Sequence, residues 1–581
     1  MECYDSSSAA MLRIWILGMG LALCVSLILA QTPPSASAQA PSVPAKDACT
    51  VAGQVVRAAT GEPLPRVQVT LFPADGPRYG ASDPVRFEAQ TDDAGHFTIE
   101  GISPGRYFLM VERRGYLTQY YGQTRSSETQ AILTLASGER RPGLLFRMVP
   151  WSVISGRITD ENGDPIPDVS VEALRSQFRN GKRTLSSEGD TQTNDLGEYR
   201  IWDLERGHYV VRAVYQGRWS KIRPKVTLAG AEPGAAAGYA PVFYPGTADA
   251  THAVALDVGD GQEMPGIDFV FLPTRAVRIR GHVFDAMLGR PASGCCVQLM
   301  PLDRESSSLS SDSGSLDGGK GGSFELQVTT PGPYEVLAFL RSSSGARSAR
   351  RRIEVGGADI DGIDMTVSRG VEVRGRVIRE DPGDTDLTGL SVRLGQDDMP
   401  ISGPPAEVKA DGTFLVNEVA DGTYSIRLFG PLEGTFLKTV RSGGQDILES
   451  GLAIEAGAFK GPLEIILSGK VALVDGSVTD DDGLPMAGAR VVLLPDQEKL
   501  RRHPFEKVTV TDQYGSFVIR DVRPGRYKAF AWREVDAGEW DDPDFMKPFG
   551  DKGVKIEPEE NGHVTVQLKL LPEASNPKPP Q

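Results

Sequence analysis

The sequence predicts an all-β protein, a tandem array of about five β-sandwich domains. One frame of strand, turn, strand, long loop and hairpin recurs five times along the 581 residues. Within each repeat, apolar residues alternate with other residues, which is the period of a strand and not of a helix. Turn-forming Gly, Pro, Asn and Asp residues separate these runs roughly every 8–12 residues, as in β-sandwiches.

The last repeat shows the frame most clearly. Asp481-Asp482-Gly483 predicts a tight turn, because Gly tolerates positive φ and Asp bonds its own backbone. The next strand follows at Ala489, Val491 and Leu493, which share one face. Phe517 and Tyr527 then mark two further strands joined by a second turn.

An aromatic residue precedes a tyrosine by ten positions in every repeat. A tyrosine directly after a turn into a late strand is typical of a tyrosine corner, with its ring in the core and its hydroxyl on the backbone. The glycines that open the repeats are 103, 125, 94 and 101 residues apart. The aromatic pairs are Phe97 with Tyr107, Tyr199 with Tyr209, Phe324 with Tyr334, Phe414 with Tyr424 and Phe517 with Tyr527, and the glycines are Gly53, Gly156, Gly281, Gly375 and Gly476.

The pattern G-x-V…D-x-x-G-x-P-x-x-x-A-x-V, followed by T-D-x-x-G-x-F and P-G-x-Y, resembles the carboxypeptidase regulatory-like domain. The third and fourth repeats diverge from it: one lacks T-D-x-x-G, and the other has Asp421-Gly422 in place of Pro-Gly. The resemblance implies a transthyretin-like (Ig-like) sandwich of seven strands, similar to the Cna-B and carbohydrate-binding-like folds. It also implies a domain without catalytic residues.

The repeats predict domain boundaries along the whole chain, and each repeat is named here as a numbered copy. Copy two carries an insertion at roughly 216–265, and copies three and four are the divergent ones. The predicted segments are a signal peptide at 1–38, a linker at 39–46, copy one at 47–150, copy two at 151–275, copy three at 276–370, copy four at 371–470, copy five at 471–573 and a disordered tail at 574–581.

An apolar run near the start predicts export. Ile14 to Ala30 is apolar and follows Arg13, and small-residue cleavage patterns follow at Ala36-Ser37-Ala38 and Ala38-Gln39-Ala40. A periplasmic, cell-surface or secreted location follows. An uncleaved leader that anchors the chain in a membrane stays an alternative.

Charge and cysteine content restrict the partners and the means of stabilisation. The net charge is −15, so a nucleic-acid partner, which requires a basic surface, is not expected. Without the leader, the odd number of cysteines, Cys49, Cys295 and Cys296, leaves one unpaired. Buried thiols are the expectation for the adjacent pair, and disulfides are not expected to hold the fold.

The sequence shows no pattern for catalysis, a cofactor or a metal. His503-Pro504-Phe505-Glu506 matches the H-x-x-E of zinc peptidases but lacks a plausible third ligand. The Asp-rich segments 160–164 and 480–482 lack the spacing of a calcium loop and are expected to form turns. No G-x-S-x-G nucleophile motif is present.

Aromatic residues after the late strands are the candidate ligand-binding residues, because an exposed ring can stack on a sugar. Alternatively, these rings pack into the joints between domains. The sequence therefore leaves three functions open: a module that binds a glycan or an envelope protein, a structural spacer or assembly component, and an accessory region of a peptidase system. The candidates are Tyr120, Tyr121, Tyr244, Trp532, Trp540 and Phe545.

Overall fold

The computed structural model describes residues 47–572, apart from several internal segments. The predicted signal peptide, linker and tail lie outside the described residues, as do His503 and part of the copy-two insertion. The segments left out within this range are 75–85, 124–130, 180–181, 216–236, 303–311, 316–321, 343–344, 369, 382–386, 396–404, 456–457, 498–504, 513, 534 and 536–537.

The protein is an all-β structure, with 60% of residues in strands and 2% in helices. This confirms the predicted fold class. The described helices are a 3₁₀ turn at Ala250–His252, another at Glu539–Asp541 and a short α-helix at Pro543–Met546. No helix in the described part of the chain combines the length and apolarity needed to cross a membrane.

Copy five shows the arrangement in its simplest form, with seven strands in two sheets. One sheet has three strands, with the first strand of the copy at its centre, and the other has four. In chain order the strands are Ala472–Thr479, Arg490–Pro495, Lys507–Val510, Ser516–Val522, Tyr527–Trp532, Val554–Ile556 and His563–Lys569.

Copies one and two build the same two sheets with added strands. In copy two the described part of the insertion contributes short strands from Ala237 onward. The strands of copy one are Cys49–Arg57, Gln68–Pro73, Phe87–Gln90, His96–Ile102, Gly105–Glu112, Gln119–Tyr120, Leu133–Leu135 and Arg140–Met148. Those of copy two are Ser152–Asp160, Val169–Arg179, Lys182–Gln192, Glu198–Leu204, Gly207–Tyr215, Ala237–Tyr239, Val242–Phe243, Leu256–Val258, Glu263–Met264, Phe269–Phe271 and Pro273–Arg275.

Copies three and four keep this plan although their turn motifs have diverged. The strands of copy three are Val277–Asp285, Arg290–Pro291, Cys296–Pro301, Asp312–Ser315, Ser323–Val328, Gly332–Ser342, Gly345–Val355 and Ile360–Val367. Those of copy four are Val371–Arg379, Ser391–Gly395, Ala406–Glu407, Thr413–Val419, Gly422–Phe429, Phe436–Ser442, Gln445–Asp446, Leu452–Ile454 and Leu463–Ser468.

The first strand of each copy lies between the same two neighbours. It pairs antiparallel with the strand that carries the frame aromatic and parallel with the closing strand. In copy five, Gly476 lies opposite Phe517 on one side and Val566 on the other. The closing strand therefore joins the two ends of each copy.

The glycine in each first strand is required by this close packing. A Cβ at Gly476 would come within 3.0 Å of the carbonyl oxygen of Val566. Real Cβ atoms do not come that close to other atoms, so only glycine fits. The same holds for Gly53 against Leu144, Gly156 against Ile267, Gly281 against Ile363 and Gly375 against Leu463.

The five frame tyrosines form tyrosine corners, as the sequence predicts. Each hydroxyl donates a hydrogen bond to the backbone carbonyl four residues earlier, while the ring is buried in its own sandwich. Burial raises the pKa of Tyr527 to about 12. The bonds run from Tyr107 to Ser103 (2.7 Å), Tyr209 to Glu205 (2.8 Å), Tyr334 to Thr330 (3.0 Å), Tyr424 to Ala420 (2.8 Å) and Tyr527 to Arg523 (2.9 Å).

Each copy supplies its own apolar core in the described part of the chain. Four of the main clusters draw their buried side chains from a single copy, at 49–148, 154–271, 277–367 and 472–568. The copy-four cluster spans 373–467 and takes in one further residue, Phe505 of copy five. The domain boundaries themselves stay a prediction.

The three described cysteines are free thiols. Cys49 and Cys295 are buried, and Cys296 is partly buried at the start of a copy-three strand. Burial raises the pKa of the Cys295 thiol to about 12, so it stays protonated at neutral pH. Apolar packing and strand pairing stabilise each sandwich without a disulfide between those three residues.

Replacing Tyr527 tests the tyrosine corner of copy five. Tyr527→Ala is expected to destabilise this copy by ~3 kcal/mol or more, because it empties a buried aromatic site. Tyr527→Phe keeps the ring and loses only the bond to Arg523, so its cost should be about 1 kcal/mol. Hydrogen–deuterium exchange of peptides from 472–569 measures both effects, and equal protection in wild type and Tyr527→Ala would contradict the assignment.

Candidate functional site

Three of the predicted ligand-binding residues are buried, so the prediction that they form an exposed platform is wrong. Trp532 is fully buried, Trp540 is 4% exposed and Phe545 is 6% exposed. They pack with Phe530, Phe549 and neighbouring aliphatic side chains in a second cluster of copy five, named here the cap cluster. Whether any of these residues contacts a ligand stays untested.

The cap cluster exists because the four-stranded sheet of copy five carries apolar side chains on both of its faces. All six residues of the strand Arg490–Pro495 are buried. Val491 and Leu493 point into the sandwich core, whereas Val492 and Leu494 point into the cap cluster. The apolar outer face requires a cover, which residues 538–549 provide.

Local backbone signals fold this covering segment. Gly538 takes a left-handed conformation (φ 86°) just before the 3₁₀ turn Glu539–Asp541. The side chain of Asp542 then caps the helix Pro543–Met546 by accepting a hydrogen bond from the amide of Asp544 at 2.9 Å. The turns place Trp540, Phe545 and Phe549 over the sheet.

Ring contacts fill the cap cluster. The rings of Phe530 and Trp532 are stacked with centroids 5.4 Å apart. Phe549 meets Trp532 edge-on at 5.8 Å, and Phe545 meets it tilted at 6.2 Å. The indole Nε1 of Trp532 has no hydrogen-bond partner among the described residues. The packing leaves no open ring face of Trp532 for a sugar.

Polar groups close the edge of the cap cluster. The Trp540 indole donates to Glu506 at 3.1 Å, and the Arg490 guanidinium donates to the carbonyl of Val535 at 2.6 Å. Burial raises the pKa of the Glu506 carboxyl, opposed by the bond from Trp540. The glutamate of the H-x-x-E pattern is thus engaged in packing, while His503 lies outside the described residues.

The remaining three candidates are half-buried against their own sandwiches. Tyr121 packs on the copy-one core, and Tyr244 meets Phe269 of the copy-two core edge-on at 6.1 Å. Tyr120 lies edge-on to Phe72 at 6.3 Å. The structure thus groups three of the six predicted residues in the cap cluster and places the other three outside it. None of the six forms an open aromatic platform.

One aromatic pair that includes an exposed ring was not among the predicted residues. Trp202 is 50% exposed, and its ring lies 4.6 Å from that of Trp151, tilted by 39°. The signal was present in the sequence, because Tyr199 and Ile201 point inward and place Trp202 on the outer face of the strand. Strand alternation therefore predicts an exposed aromatic ring at Trp202, whereas position in a loop does not by itself predict exposure.

Each histidine in the described part of the chain is paired with a single aspartate. Among the described residues no three His, Cys, Asp or Glu side chains group as metal ligands would. The described histidines each lie near one aspartate. The pairs are His96 with Asp92, His208 with Asp257, His252 with Asp249, His282 with Asp364 and His563 with Asp475. Asp160 and Asp480 accept backbone amides within their turns, as predicted.

A family model described as the carboxypeptidase regulatory-like domain matches residues 50–136, 153–237 and 474–538. These segments lie in copies one, two and five, the copies that keep the motif. No curated protein matches the chain. The match supports the resemblance seen in the sequence and says nothing of a catalytic site.

Several solved structures are similar at low identity. The minor pilin GBS52 of Streptococcus agalactiae is 14% identical, with 39% of this chain and 95% of that chain covered and a TM-score of 0.20. BcpA, the major pilin subunit of Bacillus cereus, is 11% identical, with 55% and 99% covered and a TM-score of 0.14. The Bacillus anthracis TIE protein is 11% identical, with 73% and 75% covered and a TM-score of 0.14. Such scores carry no inference about function.

Proposed function

We propose that this chain, which carries carboxypeptidase regulatory-like domains in copies one, two and five, is an exported, non-catalytic scaffold. Its sandwiches are held to one another by side chains from their own loops. The predicted leader supports export. The observation that carries the scaffold role is the position of Phe505, a copy-five residue that is buried in the copy-four core.

Phe505 links two copies. Its ring is 6% exposed and belongs to the copy-four cluster, while the guanidinium of Arg523, in copy five, lies 4.9 Å from the ring centre. The carboxylate of the next residue, Glu506, accepts a hydrogen bond from the indole of Trp540 in the cap cluster. A continuous set of contacts therefore runs from the copy-four core to the cap cluster. This is the packing expected of an assembly component.

The insertion of copy two contacts the joint between copies two and three. Its strand Ala237–Tyr239 pairs with Pro273–Arg275, which leads directly into copy three. Tyr239 is buried beside Phe271, with ring centroids 5.3 Å apart. Its carbonyl accepts a hydrogen bond from Thr329 of copy three at 3.5 Å. The insertion thus stiffens a joint and is not an open loop along this stretch.

A backbone hydrogen bond crosses the joint between copies one and two, because the amide of Trp151 in copy two donates to the carbonyl of Gly115 in copy one at 3.1 Å. Gly261 of copy two also lies close to copy one, since a Cβ there would be 3.2 Å from the Cβ of Pro150. Short connections with backbone pairing restrict rotation between the two sandwiches. A protein that only bound a ligand on one domain would not need such joints.

Phe505→Ala tests the scaffold role. Removing this buried ring should destabilise copy four by roughly 3–5 kcal/mol, although the substitution lies in copy five. Hydrogen–deuterium exchange should therefore rise at 452–468 as well as at 505–512. Phe429→Ala, which removes a ring that is 43% exposed in copy four, is the matched control and should change little. An effect confined to 505–512 would contradict the proposal.

Glycan binding is a second candidate function, favoured by the pair Trp151 and Trp202. A half-exposed indole on a rigid strand offers the apolar face that a pyranose ring covers, and it sits on a fixed support. The buried rings first predicted for this role lack that access. The pair therefore replaces them as the candidate platform.

Titration with soluble glucans, followed by tryptophan fluorescence, tests this second candidate. If a glucan binds, Trp202→Ala should weaken binding about tenfold or more, which is roughly 1.4 kcal/mol. Leu196→Ala, at another exposed apolar position of copy two, should leave the affinity unchanged. Binding that survives Trp202→Ala, or no binding of any glucan to the wild type, would exclude this platform.

A further inference from the structure

Copy one and copy five contact each other. An Nη1 atom of Arg141, in the closing strand of copy one, donates to the hydroxyl of Tyr514 in copy five at 3.4 Å. These residues are 373 positions apart. The contact joins the first and last copies without passing through copies three and four.

Further groups surround the Arg141–Tyr514 contact. Arg141 also pairs with Glu139 at 3.3 Å, which orients its guanidinium. Burial raises the pKa of Tyr121, an effect opposed by Arg141 and increased by the charge of Asp512 in copy five. The backbones also approach closely, because a Cβ at Gly488 of copy five would lie 3.3 Å from the carbonyl oxygen of Gly122.

A second contact joins copy five to copy two. A Cβ at Gly538 would lie 2.6 Å from the carbonyl oxygen of Phe178, in the strand Val169–Arg179. Gly538 also has a positive φ of 86°, so both its conformation and the close approach require glycine. Since Gly538 begins the segment that covers the cap cluster, this segment lies directly against copy two.

The tyrosine at position 514 is particular to copy five, whereas Asp512 has a counterpart in copy one at Asp92. Asp512 and Tyr514 belong to its T-D-x-x-G turn, which copy three lacks. In copies one and two the position of Tyr514 is occupied by Ala94 and Leu196. The tyrosine that reaches Arg141 is therefore not a general feature of the repeat. A role in sandwich stability does not explain it either, because Tyr514 is 63% exposed.

We propose that copies one and two together form a docking surface whose partner is copy five of the same chain. The surface comprises Tyr121, Gly122 and Arg141 of copy one and Phe178 of copy two. It is matched by Gly488, Asp512, Tyr514 and Gly538 of copy five. The fitting partner is thus a sandwich of the carboxypeptidase regulatory-like type, carrying a tyrosine on its T-D-x-x-G turn.

Covalent linkage makes a small contact of this kind effective. Copies three and four tether copy five to copies one and two, so docking is intramolecular. A tether gives an effective concentration on the order of millimolar when its length matches the span. A contact too weak to join separate molecules at lower concentrations can then hold the chain closed. The proposed scaffold is then the chain with copy five docked on copies one and two.

Cross-linking tests the docking directly. Arg141→Cys and Tyr514→Cys give up the bond between these two side chains but leave the approaches of copy five to Gly122 and Phe178. The two substitutions are combined in the full chain, with Cys3, Cys24 and Cys296 replaced by serine, and treated with the short reagent bismaleimidoethane. Cys49 and Cys295 are buried and should not react. The proposal predicts rapid cross-linking within single molecules, at a rate independent of protein concentration. Arg141→Cys with Leu288→Cys, an exposed copy-three position, is the control pair and should cross-link much more slowly.

A second variant separates docking from mere proximity. Gly538→Ala, added to the cross-linking pair, should lower the rate at least severalfold, because the new methyl group meets Phe178. Gly483→Ala, at another positive-φ glycine of copy five where a Cβ would meet nothing within 4 Å, imposes the same backbone strain without the contact and should leave the rate unchanged. Failure to cross-link although both thiols react with a monofunctional maleimide would overturn the proposal. Cross-linked dimers that increase with concentration would overturn it as well.

Discussion

Every sandwich in this chain depends on the close packing of its first strand against its closing strand. At Gly476 the backbone of the first strand lies so near the carbonyl of Val566 that no side chain fits between them. The closing strand pairs in parallel with the first strand and so joins the two ends of the copy. The remaining strands then meet over a core that the Tyr527 ring helps to fill. The recurrence of this glycine explains why divergent copies keep the same fold.

Much of this fold could be predicted from sequence because its signals are local. A glycine, a turn of Asp and Gly residues, and a tyrosine ten residues after an aromatic each specify a short stretch of backbone. The tyrosine corner at Tyr527 spans only four residues, to Arg523. Burial in the cap cluster depends instead on which segment covers the outer face of a sheet, and spacing does not reveal this. The unbroken apolar run from Val491 to Leu494 was the available sequence clue that both faces of this strand are covered.

The candidate site was predicted less well because exposure was inferred from loop position. Trp540 and Phe545 follow a late strand, yet a 3₁₀ turn buries Trp540 and the short helix capped by Asp542 buries Phe545. Trp202 lies within a strand, where alternation places it on the outer face and leaves it half exposed. Large aromatic side chains bury much apolar area, so loop rings tend to be drawn into any nearby apolar face. In this chain the buried loop rings lie at the joint between copies four and five, where Phe505 is buried, and in the cap cluster. This distribution agrees with the proposed scaffold role.

The most direct test of this account is the stability of copy five in Gly476→Ala. Because the added methyl group cannot fit against Val566, the first and closing strands must separate. Hydrogen–deuterium exchange should show lost protection at 472–479 and 563–569. Gly550→Ala, which adds a methyl group where there is room, should keep the wild-type pattern. Wild-type protection of both strands in Gly476→Ala would contradict the claim that this close approach determines the fold.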